Sequence, residues 1–230
     1  MTAASVSVVV PVYNGERYLA ETLAAIRNQT HPVAEIIVVD DGSSDTSAEV
    51  AAAAVPSAKV LRRANMGAAA AMNAGVTVAR GDLLTFCDAD DLWHPTKTER
   101  QVAALAEMPS AGYSITDVVN FISPELAIDP DSVDAWLLEP AAGYYTATLA
   151  VWRSAFDEIG PFDESLRHMN KTEWFLRARE HSEVAHVTDV LVQRRLHTTN
   201  TSTSCESSSL DEHLEFVAAR MRAARGGRNR

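Results

Sequence analysis

Along the first half of the chain, short apolar runs alternate with amphipathic stretches in a repeating order. Residues 5–12 (SVSVVVPV) are β-branched and almost continuously apolar, the pattern of a strand covered on both faces and stopped by Pro11. After the Asn14-Gly15 turn, Leu19, Leu23 and Ile26 recur at helical spacing through to Gln29, and His31-Pro32 closes that helix. Residues 35–40 (EIIVVD) predict a second buried strand. GSSDTSAEV opens an Ala-rich helix with Ser44 or Asp45 as N-cap, and residues 59–62 predict a short third strand. A helix over residues 67–79, the strand LLTFCD after Arg80-Gly81-Asp82, and a helix with Pro95 as its first residue follow. This alternation implies an α/β fold, a mostly parallel sheet flanked by helices on both faces.

The second half is less regular. Its pattern predicts strands near residues 113–119 and 144–151, helices over 154–159 and 172–181, and strands within 184–196. Residues 201–209 lie in a polar, low-complexity stretch that predicts a flexible loop. Leu210, Leu214, Val217 and Met221 then share one face of a terminal helix over 210–225, a stripe suited to docking on the domain or to forming a homodimer.

Composition narrows the class. The chain has 230 residues, 47% of them hydrophobic, which is enough for one domain with a full core. A formal net charge of −11 repels a phosphate backbone and argues against nucleic acid as a partner. Cys87 and Cys205 have no metal-ligand spacing, and residues 1–5 lack the pattern of a secretory leader, so a cytoplasmic location is expected. No apolar run approaches the ~18 residues of a transmembrane segment, which leaves peripheral association as the expected form of any membrane contact.

The chemistry concentrates at two strand ends. Asp40-Asp41 ends the second strand and Asp88-Ala89-Asp90-Asp91 ends the fourth, and ligands of a doubly wound sheet bind at that edge. A dinucleotide site fails because the first turn reads PVYNGE rather than a glycine-rich fingerprint, and a calcium loop from Asp88 fails because Trp93 stands where Gly is required. Two readings stay open: an aspartyl-phosphate phosphotransferase using Asp88 and Asp90, and a site for Mn²⁺ or Mg²⁺ shared with a substrate diphosphate. Asp91 is expected to cap the helix after Pro95.

Five segments in order carry a resemblance: PVYN at 11–14, DDGSSD at 40–45, NMGAAAAMNAG at 65–75, RGDLLTFCDADDLWHP at 80–95 and IGPFDESL at 159–166. Together they are similar to the serial signatures of family 2 glycosyltransferases. The resemblance implies a single GT-A domain over residues 1–200, with a Rossmann-like nucleotide-sugar-binding half at 1–95 and an acceptor half at 96–200. It also implies inversion at the anomeric carbon and a divalent metal. It places Pro11 and Tyr13 at the nucleobase pocket and Asp41 against the base, usually uracil or thymine, so a UDP- or TDP-sugar is favoured. Asp88 and Asp90 match the D-x-D pair, the first toward the ribose or diphosphate, the second on the metal. In QRRLHTTNTS, His197 matches a third metal ligand beside Asp88 and Asp90, and Arg194 or Arg195 a phosphate contact.

One departure stands out. Inverting transfer needs a base for the acceptor hydroxyl, and the family's helix reads roughly E-D-x-E-W-x-x-R where this chain has NKTEWFLRAR. Lys171 thus stands at the acid's place, and an amine of reference pKa ~10.4 is a poor base. The remaining candidates are Glu173, whose alternative is an ion pair with Arg177 at i+4, and Asp163 or Glu164 in the preceding loop. Without a base, the chain would bind a nucleotide sugar without turning it over, or use an acceptor needing little assistance. The acceptor is unknown. The chain has no Q-x-x-R-W segment, so a single addition is expected rather than polymer synthesis.

Overall fold

The computed structural model describes residues 4–126 and 134–198. The predicted loop at 201–209, the terminal helix and any dimer contact through it lie outside the described residues. The parallel core comprises β1 (Val6–Val12), β2 (Glu35–Asp40), β3 (Lys59–Arg62) and β4 (Leu83–Phe86), joined through α1 (Leu19–Arg27), α2 (Ser47–Ala54) and α3 (Ala68–Val78). The chain continues through β5 (Leu92–Trp93), α4 (Lys97–Glu107), β6 (Ala111–Ile122), β7 (Ala141–Ala142), β8 (Ala150–Trp152), α5 (Arg153–Ile159), α6 (Asn170–His181) and β9 (Glu183–Leu196). Sheet order is β3-β2-β1-β4-β8-β6-β9-β5, with β7 paired to β6. β8 runs antiparallel to both β4 and β6, and β5 antiparallel to β9.

Strand alternation divides the core between the two faces. Val6, Val8 and Val10 pack with Leu19, Leu23 and Ile26 of α1 and Leu105 of α4. Val9, Ile37 and Val39 pack instead with Ala69 and Met72 of α3 and with Phe156, Trp174 and Phe175 of α5 and α6. The small residues of α3 let it lie close to the sheet: a Cβ placed on Gly75 would sit 2.3 Å from a methyl of Val9. Among the described residues, no helix is long and apolar enough to cross a membrane.

The structure revises several boundaries. In place of the strand expected over 144–151 the chain forms a single helical turn at Thr146–Thr148 and then β8, with β7 lying before that range. Thr148 Oγ1 donates to the carbonyls of Gly143 and of Tyr145, local bonds that compete with the ladder. α4 begins at Lys97 rather than Pro95, whose carbonyl accepts from Thr30 N at 2.8 Å. α2 begins at Ser47 after Thr46, while the Asp45 carboxylate accepts from Ser47 N at 3.0 Å and so serves the helix end from outside it.

Candidate functional site

β1 and β2 end side by side, and the loops that leave them are bonded to each other. Asp41 N donates to Val12 O at 2.8 Å. Asn14, held at φ 51°, accepts on Oδ1 from Ser44 N at 2.8 Å. Glu16 Oε2 accepts from Thr46 N at 2.9 Å, and Gly15 N donates to Ser47 Oγ at 2.9 Å. The sequence places Tyr13 and Asp41 in these loops but gives no pairing between the two loops. Each is also rich in short acceptors and donors, and that was the available sign of their pairing.

Asp41 is buried and fixes a third loop. Its Oδ2 accepts from Gly67 N at 2.7 Å and Met66 N at 3.1 Å, and its Oδ1 lies 3.3 Å from Arg63 Nε. Gly42, at φ +81°, lets this loop close in, since a Cβ there would meet Asn65 N at 2.8 Å. Beside it Pro11 is half-buried and Tyr13 is 56% exposed.

The acidic stretch after β4 turns tightly, with Asp91 N donating to Asp88 O at 3.2 Å, and its three carboxylates diverge. Asp88 Oδ2 lies 2.9 Å from Lys171 Nζ. Asp90 Oδ2 lies 2.8 Å from His197 Nε2, and the His197 ring packs 4.8 Å from that of Tyr18. Asp91 is not a helix cap. It is buried beneath the loop and accepts from Arg195 N at 3.2 Å, because the chain runs inward again to form β5 before α4 starts. Burial, together with the charges of Asp88 and Asp90, pushes its carboxyl well above the usual carboxylate range. The structure thus joins Asp90 to His197 and Asp88 to Lys171. Among the described residues, no three His, Cys, Asp or Glu side chains gather as a complete cation cage.

The basic segment divides in the same way. Arg195 is buried, its guanidinium stacked between the rings of Tyr18 and Phe121 at 4.6 and 4.7 Å. It donates to Glu21 Oε2 at 2.6 Å and to Asp90 O at 3.1 Å, so it clamps β9 and α1 onto the acidic turn. The Arg194 guanidinium lies 5.4 Å from the centre of the Tyr145 ring.

Of the predicted bases, Glu173 forms a two-point pair with Arg177, at 2.6 and 2.8 Å, and Arg177 also donates to the carbonyls of Ile159 and Pro161. That pair latches α6 to the end of α5. Asp163 Oδ1 accepts from Ser165 Oγ at 2.6 Å and Ser165 N at 2.9 Å, hydrogen bonds that hold its carboxyl below the usual range. The family's acid position holds Lys171, in the first turn of α6, with its side chain 28% exposed and that of Asp88 31% exposed. Burial pulls its pKa down, but the charge and hydrogen bond of Asp88, with the charge of Asp91, more than reverse this and raise it.

The model of the family described as "Glycosyl transferase family 2" matches residues 7–161. An uncharacterized glycosyltransferase of Rickettsia typhi is 29% identical over 211 residues, covering 86% of this chain and 66% of its own length. One of Nostoc sp. is 32% identical over 178 residues, covering 69% of this chain and 54% of its own. This chain therefore spans roughly half to two thirds of those relatives. The crystal structure of S. aureus TarS 1-349 in complex with UDP-GlcNAc superposes with a TM-score of 0.70 at 17% identity, over 90% of this chain and 64% of that one. The shared fold is the GT-A fold.

Proposed function

The chain belongs to glycosyl transferase family 2, and from that premise we propose that it moves a sugar from a nucleoside-diphosphate sugar to an acceptor, with inversion and in a single addition. The observation that carries this reading is the meeting of two acidic strand ends at one sheet edge: Asp41 in the β2 loop, and Asp88 and Asp90 after β4. The fold-sharing TarS structures hold UDP and UDP-GlcNAc, which favours a uridine donor here as well. In this reading the base lies along Pro11 and Tyr13 beside Asp41, and the diphosphate lies toward Asp88 and Asp90. Family membership leaves an aspartyl-phosphate phosphotransferase without support.

The residues present fit a divalent cation. Asp90 and His197 lie close enough to act together, and a diphosphate completes such a shell with its own oxygens. An imidazole in the donor set favours Mn²⁺ over Mg²⁺, whose ligands are mainly oxygens. When bound, such a cation supplies positive charge where the departing diphosphate becomes more negative. Arg195 positions this pair by gripping Asp90 O from beneath.

The test is binding of UDP, TDP, GDP and CDP, with and without Mn²⁺, followed by release of the nucleotide from its sugar conjugate. Metal-enhanced binding of one diphosphate, lost in Asp90→Ala, is the expected result; no binding of any would refute the reading. A second reading, a nucleotide-sugar binder that does not turn over, is favoured by Lys171 at the acid's position. It predicts tight binding with no release of nucleotide under any acceptor tried.

A further inference from the structure

We infer that Lys171 is a phosphate-binding cation of the donor site, its ammonium bridging Asp88 and the β-phosphate of the nucleoside diphosphate and holding that leaving group as the sugar departs. This rests on the reading of the crevice as a nucleoside-diphosphate site.

Three observations lead to it. A cation in the first turn of a helix works against the helix dipole, yet Lys171 sits there and turns toward the acidic segment, 2.9 Å from Asp88. Second, the pair is partly exposed on both sides, at 28% and 31%. An ion pair so placed contributes little to stability and exchanges partners readily. The lysine's flexible stem and three donors let it keep Asp88 while it donates to a phosphate oxygen. Third, the charges need it. A diphosphate must enter against the carboxylates of Asp88 and Asp90, while the Arg195 guanidinium is engaged by Glu21 and the Asp90 carbonyl and Arg63 is held by Asp41. Lys171 is a cation that the described residues hold against this segment with solvent access.

The chemistry also favours a cation over a base at this point. The acceptor oxygen forms a bond to the anomeric carbon as the bond from that carbon to the β-phosphate oxygen breaks. The electron pair of the broken bond remains on the diphosphate, and the hydroxyl proton passes to water. Lys171 keeps its own proton and faces the charge that grows on the diphosphate, an interaction stronger in the transition state than before it.

The experiment compares the diphosphate that binds the wild type best, among UDP, TDP, GDP and CDP, with its own monophosphate by calorimetry. Lys171→Met should weaken the diphosphate about tenfold to a hundredfold, the size of one charged hydrogen bond, and leave the monophosphate nearly unchanged. Retained monophosphate binding also reports that the site is folded. Lys171→Arg should preserve the preference for the diphosphate, and it decides the matter if the Met variant binds neither ligand. An unchanged ratio in Lys171→Met, or a lost one in Lys171→Arg, overturns the inference while leaving the donor site standing. Faster transfer by Lys171→Asp would overturn it too, since the position would then be that of a missing base. A wild type that binds no diphosphate fails at the earlier step and removes both.

Discussion

Lys97 offers the sharpest test of the physical account. It is wholly buried at the start of α4, where Nζ donates to Gln101 Oε1 at 2.7 Å, reaches Thr85 Oγ1 at 3.3 Å and lies 3.8 Å from the centre of the Trp93 ring. These contacts include no carboxylate. Burial draws its pKa from 10.5 down to about 7, against a small opposing effect of Cys87. Across that gap, at about 1.36 kcal/mol per pH unit, the protonated lysine costs the fold roughly 4–5 kcal/mol. The sign follows from proton counting. Between about 7 and 10.5 the unfolded chain holds a proton that the folded chain has released, so this contribution to stability rises with pH across that window. It is lost as pH falls toward 7, and below that the cost is full and flat. Lys97→Met removes the charge and leaves Gln101 Oε1 without its donor, a loss of ~1–3 kcal/mol. The variant should therefore be more stable than the wild type at pH 6–7 by ~1–4 kcal/mol. Its advantage should shrink by about 1.5 kcal/mol between pH 7 and 8.5, from the slope set by the folded-state pKa. The upper limit avoids Cys87, whose thiol is pushed up chiefly by burial and adds a slope of opposite sign at higher pH. Urea unfolding of both proteins at several pH values measures the difference. A difference that does not change with pH, or a variant less stable at pH 6, would refute the reasoning.

Other residues give shorter tests. Gly75→Ala adds a Cβ 2.3 Å from a Val9 methyl, so its gain in helix propensity should be outweighed by overpacking and thermal unfolding should show a net loss of ~1–3 kcal/mol. Glu173→Gln should lower the melting temperature by loosening the latch to Arg177 while leaving the pH profile of turnover unchanged; loss of turnover together with the acidic limb would instead make Glu173 a base. Arg195→Lys should weaken diphosphate and monophosphate alike, because a lysine cannot both stack between Tyr18 and Phe121 and bond Glu21. A loss confined to the diphosphate would restore Arg195 as a phosphate ligand.

What the sequence revealed and what it hid have a common physical cause. The runs at 5–12, 35–40 and 83–86 were legible as central strands because they are covered on both faces, and two-sided burial leaves an uninterrupted apolar signature. The acidic strand ends were legible because strand order places them at one edge before any side chain is positioned. Lys97 and Gln101 were not legible. Both are long polar residues of a helix, yet both are buried, and Gln101 Nε2 donates onward to Thr148 O at 2.8 Å and Ser114 Oγ at 3.0 Å. Their burial depends on β8 entering antiparallel between β4 and β6, a pairing between residues far apart in the chain that no local period records.

The same non-local pairing sorts the charges of the site. From spacing alone, Asp88, Asp90 and Asp91 are equivalent carboxylates, and so are Arg194 and Arg195 as cations. β9 makes them unequal. It lies parallel to β6 and brings its end against the acidic turn, so that Arg195 N meets Asp91, its guanidinium meets Asp90 O and Glu21, and His197 meets Asp90 Oδ2. Asp88, on the other side of the turn, faces the start of α6 and finds Lys171. The buried member is held by backbone, one half-buried member by an imidazole and the other by an ammonium. A diphosphate entering this edge would therefore meet a carboxylate already neutralised by Lys171 and another already tied to His197, which lowers the repulsion that three adjacent acids would otherwise present to it.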